Sequence, residues 1–134
     1  MRMPSIAPPG LPVAALLLCA ALLPRPAWAE GLALLMVEAP GCVWCARWHA
    51  EVGDAYPLTP EGRAAPLQTI MLSDPDLGAY ALDSRPVFTP TFILVEGTQE
   101  RARIEGYPGE DFFWGLLGGL LDETDPDWAQ AGPD

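Results

Sequence analysis

The chain has 134 residues, half of them hydrophobic and 19% charged, which suits one domain and excludes a disordered polyelectrolyte. Seven arginines and no lysine stand against 18 acids, a formal charge of −11. That balance excludes a nucleic-acid binder, which needs a basic stripe against phosphate, and argues equally against docking on anionic lipid.

Residues 1–29 differ in composition from everything after them. Arg2 is followed by an apolar run from Leu11 to Leu23, broken by Pro24 and Pro26, and Ala27-Trp28-Ala29 offers small residues at −3 and −1 of a cleavage site. This is the layout of a secretory signal peptide, and the 13-residue run is short of the roughly 20 that span a membrane. Cys19 follows Leu18 where a lipoprotein needs a small residue, so no lipid anchor is expected. Cleavage after Ala29 removes Arg2 and Arg25 and no acid, leaving 105 residues with a charge of −13 and two cysteines, Cys42 and Cys45. The expected compartment is the periplasm, which is oxidising, so a cysteine pair there is a disulfide unless something reduces it.

Leu32–Val37 is a continuous apolar run that suits a strand buried on both faces. Pro40-Gly41 turns the chain into a helix expected from Cys42 to about Asp54, with Val43, Ala46, Ala50 and Trp48 on its inner side. Thr59-Pro60-Glu61 reads as an N-cap with proline at the first helical position, opening a short helix to Ala65. A second strand is expected over 67–72 and a short helix over 75–82. Thr91–Val95 and Arg101–Glu105 form a hairpin about Glu96-Gly97-Thr98. Pro108-Gly109 precedes a last helix, Glu110–Asp122, whose buried side is expected to hold Phe113, Leu116, Leu117, Leu120 and Leu121. Residues 123–134 are acidic with two prolines and read as a mobile tail. The order predicts an α/β sandwich: a parallel βαβ start, an antiparallel hairpin and a covering helix.

Chemistry concentrates at Cys42-Val43-Trp44-Cys45, just after a buried strand and in the first turn of a helix. Unpaired backbone N–H groups and the positive end of the helix dipole stabilise a thiolate there, lowering its pKa below that of a free cysteine. Cys42, at the exposed mouth, is the expected nucleophile; Cys45, one turn in, is placed to attack a mixed disulfide formed at Cys42. A purely structural disulfide closing so short a loop would stabilise by only about 2 kcal/mol. Covalent haem attachment fails because Ala46, not histidine, follows Cys45. A zinc site would have only Cys42, Cys45 and His49, so no metal and no cofactor are expected. His49 reads as a partly exposed surface residue. Thr89-Pro90-Thr91 is the second constellation: a cis bond would free the Thr89 backbone to pair with an extended peptide, although the residues alone favour an ordinary trans proline.

A strand, a CxxC at a helix start, Thr-Pro before a hairpin and Gly106 before a last helix resemble the thioredoxin superfamily over about residues 32–121. Pro-Gly-Cys-x-x-Cys, Thr-Pro-Thr-Phe and the segment Arg103–Trp114 more narrowly resemble the SoxS type, periplasmic thioredoxins encoded with bacterial sulfur-oxidation systems. The superfamily resemblance implies a shortened thioredoxin-like fold, a mixed four-stranded sheet with helices on both faces over 30–122. It also implies that Cys42 attacks, Cys45 resolves and Pro90 is cis beside them. The narrower resemblance implies a reductant that keeps the cysteine of a sulfur-carrier protein in working form and is fed by a membrane thiol transporter; a monomer is expected. Thioredoxins place a buried aspartate six residues before the first cysteine, and Met36 stands there. The proton of Cys45 then needs another acceptor, for which Glu38 at the strand's end is the candidate. Trp44 and Thr89, with Phe88 and Tyr107, are expected to form a docking face around the pair. The competing readings are an oxidant or isomerase, a reductant of apocytochrome c thiols, and a non-catalytic redox-sensing module.

Overall fold

A computed structural model describes residues 31–130; the expected signal segment, its cleavage site and Cys19 lie outside them. Strand β1 (Leu32–Glu38) is followed by helix α1 (Val43–Trp48), which continues through a π-helical turn, His49–Gly53. A 3-10 turn (Tyr56–Leu58), helix α2 (Pro60–Ala64) and strand β2 (Leu67–Met71) complete the crossover. Another 3-10 turn, Pro75–Ala79, leads to the hairpin of β3 (Thr91–Glu96) and β4 (Gln99–Glu105), and helix α3 (Glu110–Thr124) closes the domain. The sheet order is β2-β1-β3-β4, with β1 parallel to β2 and antiparallel to β3. The two continuous apolar runs thus occupy the two central positions, as strands covered on both faces must.

One face of the sheet carries the larger core, where Leu34, Met36, Phe92, Leu94 and Ile104 meet α1 and α3. The other face is thinner: Ala33, Leu35, Val37, Ile93 and Val95 are covered by Leu77 and the segment through Leu82. No helix among the described residues is long and apolar enough to cross a membrane.

Three expectations are corrected. The inner side of α1 is Cys45, Trp48 and Val52, while Val43, Ala46 and Ala50 are exposed. Trp48 sets this phase: the largest apolar side chain of the helix takes the core position, in edge or tilted contact with Tyr56, Phe92 and Phe113. Residues three before and four after it follow inward, and the small alanines lose little by facing water. On α3, Phe113, Leu117 and Leu121 form a single buried row at four-residue spacing, so Leu116 is exposed with Phe112 on the outer flank. Trp114 instead packs at the core's margin, stacked on Tyr56. Finally, residues 123–130, expected as a tail, carry structure. Helix α3 runs to Thr124, and a 3-10 turn, Trp128–Gln130, sets Trp128 against the core with its indole N–H donating to Asp122.

Two local arrangements fix the frame of the site. Gly62 in α2 lies so close to the preceding turn that a Cβ would sit 1.8 Å from the Tyr56 carbonyl oxygen. The same oxygen accepts from the Thr59 hydroxyl at 2.8 Å, and the Tyr56 hydroxyl donates to the Ala65 carbonyl at 2.7 Å. On β4 a register shift beside Leu94/Val95 puts Glu100 and Arg103 on one side of the strand. The nearly buried Glu100 carboxylate accepts from Arg103 at 2.6 Å and from the Asp83 backbone N–H at 2.8 Å. Burial works to raise the pKa of Glu100; the Arg103 and Asp83 hydrogen bonds outweigh it and hold the carboxyl below its ordinary value. Arg103 also donates to the Ser84 carbonyl, so the pair clamps the loop that leads to Pro90.

Candidate functional site

Glycine at position 41 has a φ of +73°, the left-handed conformation in which a side chain would be strained, and this turn delivers Cys42 to the N-cap of α1. Cys42 and Cys45 form a disulfide with their Cα atoms 5.2 Å apart. The Cys45 backbone N–H donates to Cys42 Sγ at 3.1 Å, using one of the donors that a helix start leaves unpaired. Cys42 is partly exposed, whereas Cys45 is only 4% exposed and packs into the larger core. Accessibility is therefore unequal at the two cysteines. The sequence expectation of an outer and an inner cysteine matches that inequality.

The Thr89–Pro90 peptide is cis, where residue-level reasoning alone favoured trans. Pro90 is buried at the head of β3, and its carbonyl accepts from the Gly106 N–H at 2.8 Å, joining the loop before β3 to the loop after β4. Trp44, Phe88, Thr89 and Tyr107 line one groove, so the structure brings together the four residues expected to form a docking face. Among the described residues neither backbone polar group of Thr89 has a hydrogen-bond partner. Val43, Trp44, Val87 and Phe88 are all more than half exposed, an apolar rim around an otherwise acidic molecule.

A side-chain chain links this groove to α1, and sequence reasoning missed it. The Tyr107 hydroxyl donates to Glu51 at 2.6 Å, Glu51 pairs with Arg47 at 2.8 Å, and the Arg47 guanidinium lies 5.6 Å from the centre of the Trp44 ring. The hydrogen bond from Tyr107, followed by that from Arg47, holds the Glu51 carboxyl below its usual range. Burial and then the same hydrogen bond push the Tyr107 phenol up. Only the i,i+4 spacing of Arg47 and Glu51 was available in the sequence; Tyr107 is 56 residues away from its partner.

A second hollow touches the disulfide itself, lined by Cys42, Cys45, Glu38 and His49 among small residues. Glu38, the candidate acceptor, ends β1 with its side chain 13% exposed, and His49 Nε2 lies 2.7 Å from its Oε1. His49 is partly exposed, as expected, but it is not isolated. Met36, at the position six before Cys42, is fully buried in the apolar core.

Comparison with solved structures places the chain beside the periplasmic thioredoxin SoxS of Paracoccus pantotrophus in its reduced form. The two are 52% identical with a TM-score of 0.68, over 70% of this chain and 99% of that one. Thioredoxins from Thermus thermophilus (16% identity, TM-score 0.56, 71% of this chain and 77% of that one) and Malassezia sympodialis (14%, 0.53, 69% and 80%) share the fold. No family model and no curated protein matches the chain.

Proposed function

The chain belongs to the thioredoxin superfamily, on its SoxS branch, and is a thiol–disulfide oxidoreductase; from that premise we propose that it is a periplasmic reductant of specific protein disulfides. The observation that carries the proposal is the inequality of the two cysteines: Cys42 partly exposed with a backbone N–H aimed at it, Cys45 buried behind it. In the reduced protein that N–H and the start of α1 favour a thiolate at Cys42. The Cys42 thiolate attacks one sulfur of a partner's disulfide, forming a mixed disulfide and expelling the other sulfur as a thiolate. Cys45 then loses its proton and attacks Cys42 Sγ. The bond from Cys42 to the partner breaks, the partner sulfur that was held in it leaves with the electron pair, and the Cys42–Cys45 disulfide forms. Two electrons have passed from the cysteine pair to the partner.

Thr89 and Trp44 suit the partner's backbone and side chains respectively. An extended peptide laid in the groove meets the unpaired polar groups of Thr89, while the exposed indole of Trp44 and Phe88 offer apolar contact. Pro90 follows Thr89 at the head of β3. The finer reading, that the partner is the sulfur-carrier protein of thiosulfate oxidation and the electron donor a membrane thiol transporter, rests on the resemblance of Pro40–Cys45 and Arg103–Trp114 to the SoxS type. Secretion with cleavage after Ala29 and a monomeric state belong to the same proposal.

The test is a trap. Cys45→Ser, expressed in its own periplasm, accumulates a mixed disulfide through Cys42 with a small number of proteins, seen on non-reducing gels and identified by mass. Absence of any adduct removes the transfer mechanism; adducts with cytochrome c maturation proteins alone favour that alternative over the sulfur carrier.

A further inference from the structure

We propose that the Glu38–His49 pair is the proton acceptor for Cys45, an inference that rests on the exchange reaction above and supplies the step it leaves open. Cys45 packs among apolar side chains, and a thiol so placed holds its proton. Resolution of a mixed disulfide nevertheless requires the Cys45 thiolate. The group that takes the proton must reach the inner sulfur from a side that water also reaches, because the proton has to be returned.

The hollow beside the disulfide meets both conditions. Its remaining lining is alanine, glycine and valine, so besides the two cysteines its titratable groups are Glu38 and His49. They arrive from two elements. Glu38 stands at the carboxyl end of β1, its own carbonyl accepting from the Leu72 N–H. His49 follows Cys45 by four residues, opening the π-helical turn that continues α1, and both line the hollow. Their 2.7 Å hydrogen bond ties one carboxylate oxygen to Nε2, and among the described residues the other oxygen has no hydrogen-bond partner. The His49 ring is backed by Trp48 at 5.2 Å, so its orientation is set by the core. Arg85 donates to the carbonyl of Leu72, whose own N–H donates to the Glu38 carbonyl.

The Cys45 thiol gives its proton to the pair, directly or through one water, and the resulting thiolate bonds to Cys42 Sγ. The bond between Cys42 and the partner breaks, and the partner's sulfur leaves as a thiolate and recovers the proton. The position that is Met36 here contributes no proton chemistry, being apolar and fully buried.

The two exchange steps can be read separately with 5,5′-dithiobis(2-nitrobenzoate) and the reduced, purified protein in a stopped-flow instrument. Cys42 releases one nitrothiobenzoate on attack, and Cys45 releases a second on resolution. In Glu38→Gln and in His49→Gln the second release slows roughly 10- to 100-fold relative to the first at neutral pH. The deficit closes as pH rises and hydroxide replaces the missing base. Glu38→Asp, which keeps a carboxylate, recovers part of the loss, and this separates proton transfer from mere packing. An unchanged second phase in both glutamine variants overturns the assignment while leaving thiol exchange standing. A wild-type protein that gives no second release overturns the exchange reaction itself.

Discussion

Replacing Gly62 by alanine sets two physical effects of opposite sign against each other. In an exposed helix glycine-to-alanine gains about 1 kcal/mol, and Gly62 has an ordinary helical backbone inside α2. Here the new Cβ would lie 1.8 Å from the Tyr56 oxygen and 2.6 Å from its carbonyl carbon, so backbone must part from backbone by more than about 1 Å. The turn cannot easily yield, because the Tyr56 hydroxyl is bonded to Ala65 and the Tyr56 ring is packed between Trp48 and Trp114. Overpacking of this kind costs about 1–3 kcal/mol and occasionally more, enough to overcome the helix preference. We expect Gly62→Ala to lose about 2 kcal/mol net, read as a lower urea midpoint at unchanged slope, or roughly 8–16 °C in Tm for a domain of this size. Gly119→Ala is the control. It lies on α3 with nothing within 4 Å of the added carbon, and should gain up to about 1 kcal/mol. A Gly62→Ala protein as stable as its parent, with Gly119→Ala behaving as stated, would refute the close approach of α2 to the turn.

Arg103→Ala leaves the Glu100 carboxylate buried beside a single backbone donor and should cost about 3–5 kcal/mol at neutral pH, measured by urea unfolding. Because Glu100 is held below its ordinary pKa when folded, its contribution is complete above the unfolded-state value and is lost as pH falls through the folded one; Glu100→Gln should flatten the acid limb of the stability profile, and an unaltered limb would assign that loss to other carboxyls. Trp44→Ala should lower kcat/KM for insulin reduction about tenfold and leave the reaction with a small aromatic disulfide within about twofold, since only a protein substrate reaches the indole; equal losses with both would deny it a docking role.

Local chemistry made much of the architecture legible. The apolar runs of β1 and β3 mark strands covered on both sides, Thr59 caps α2 through its hydroxyl as its type predicts, and a cysteine pair at a helix start identifies the reacting sulfurs. These features depend on residues within a turn or so of one another. The phase of α1 was harder to read, because counting Val43, Ala46 and Ala50 as apolar gives three weak votes where the volume of Trp48 decides.

What the sequence determined by itself is the order of elements, the sheet's central strands and the identity of the two sulfurs, since backbone hydrogen bonding and side-chain periodicity act over short stretches of chain. The tertiary structure alone decided the partnerships: Glu38 with His49, Tyr107 with Glu51, Glu100 with the loop before Pro90. Each joins residues from different elements. Whether two such groups meet at hydrogen-bond distance depends on how helices seat on the sheet and where a strand shifts register, and those are set by packing across the whole core.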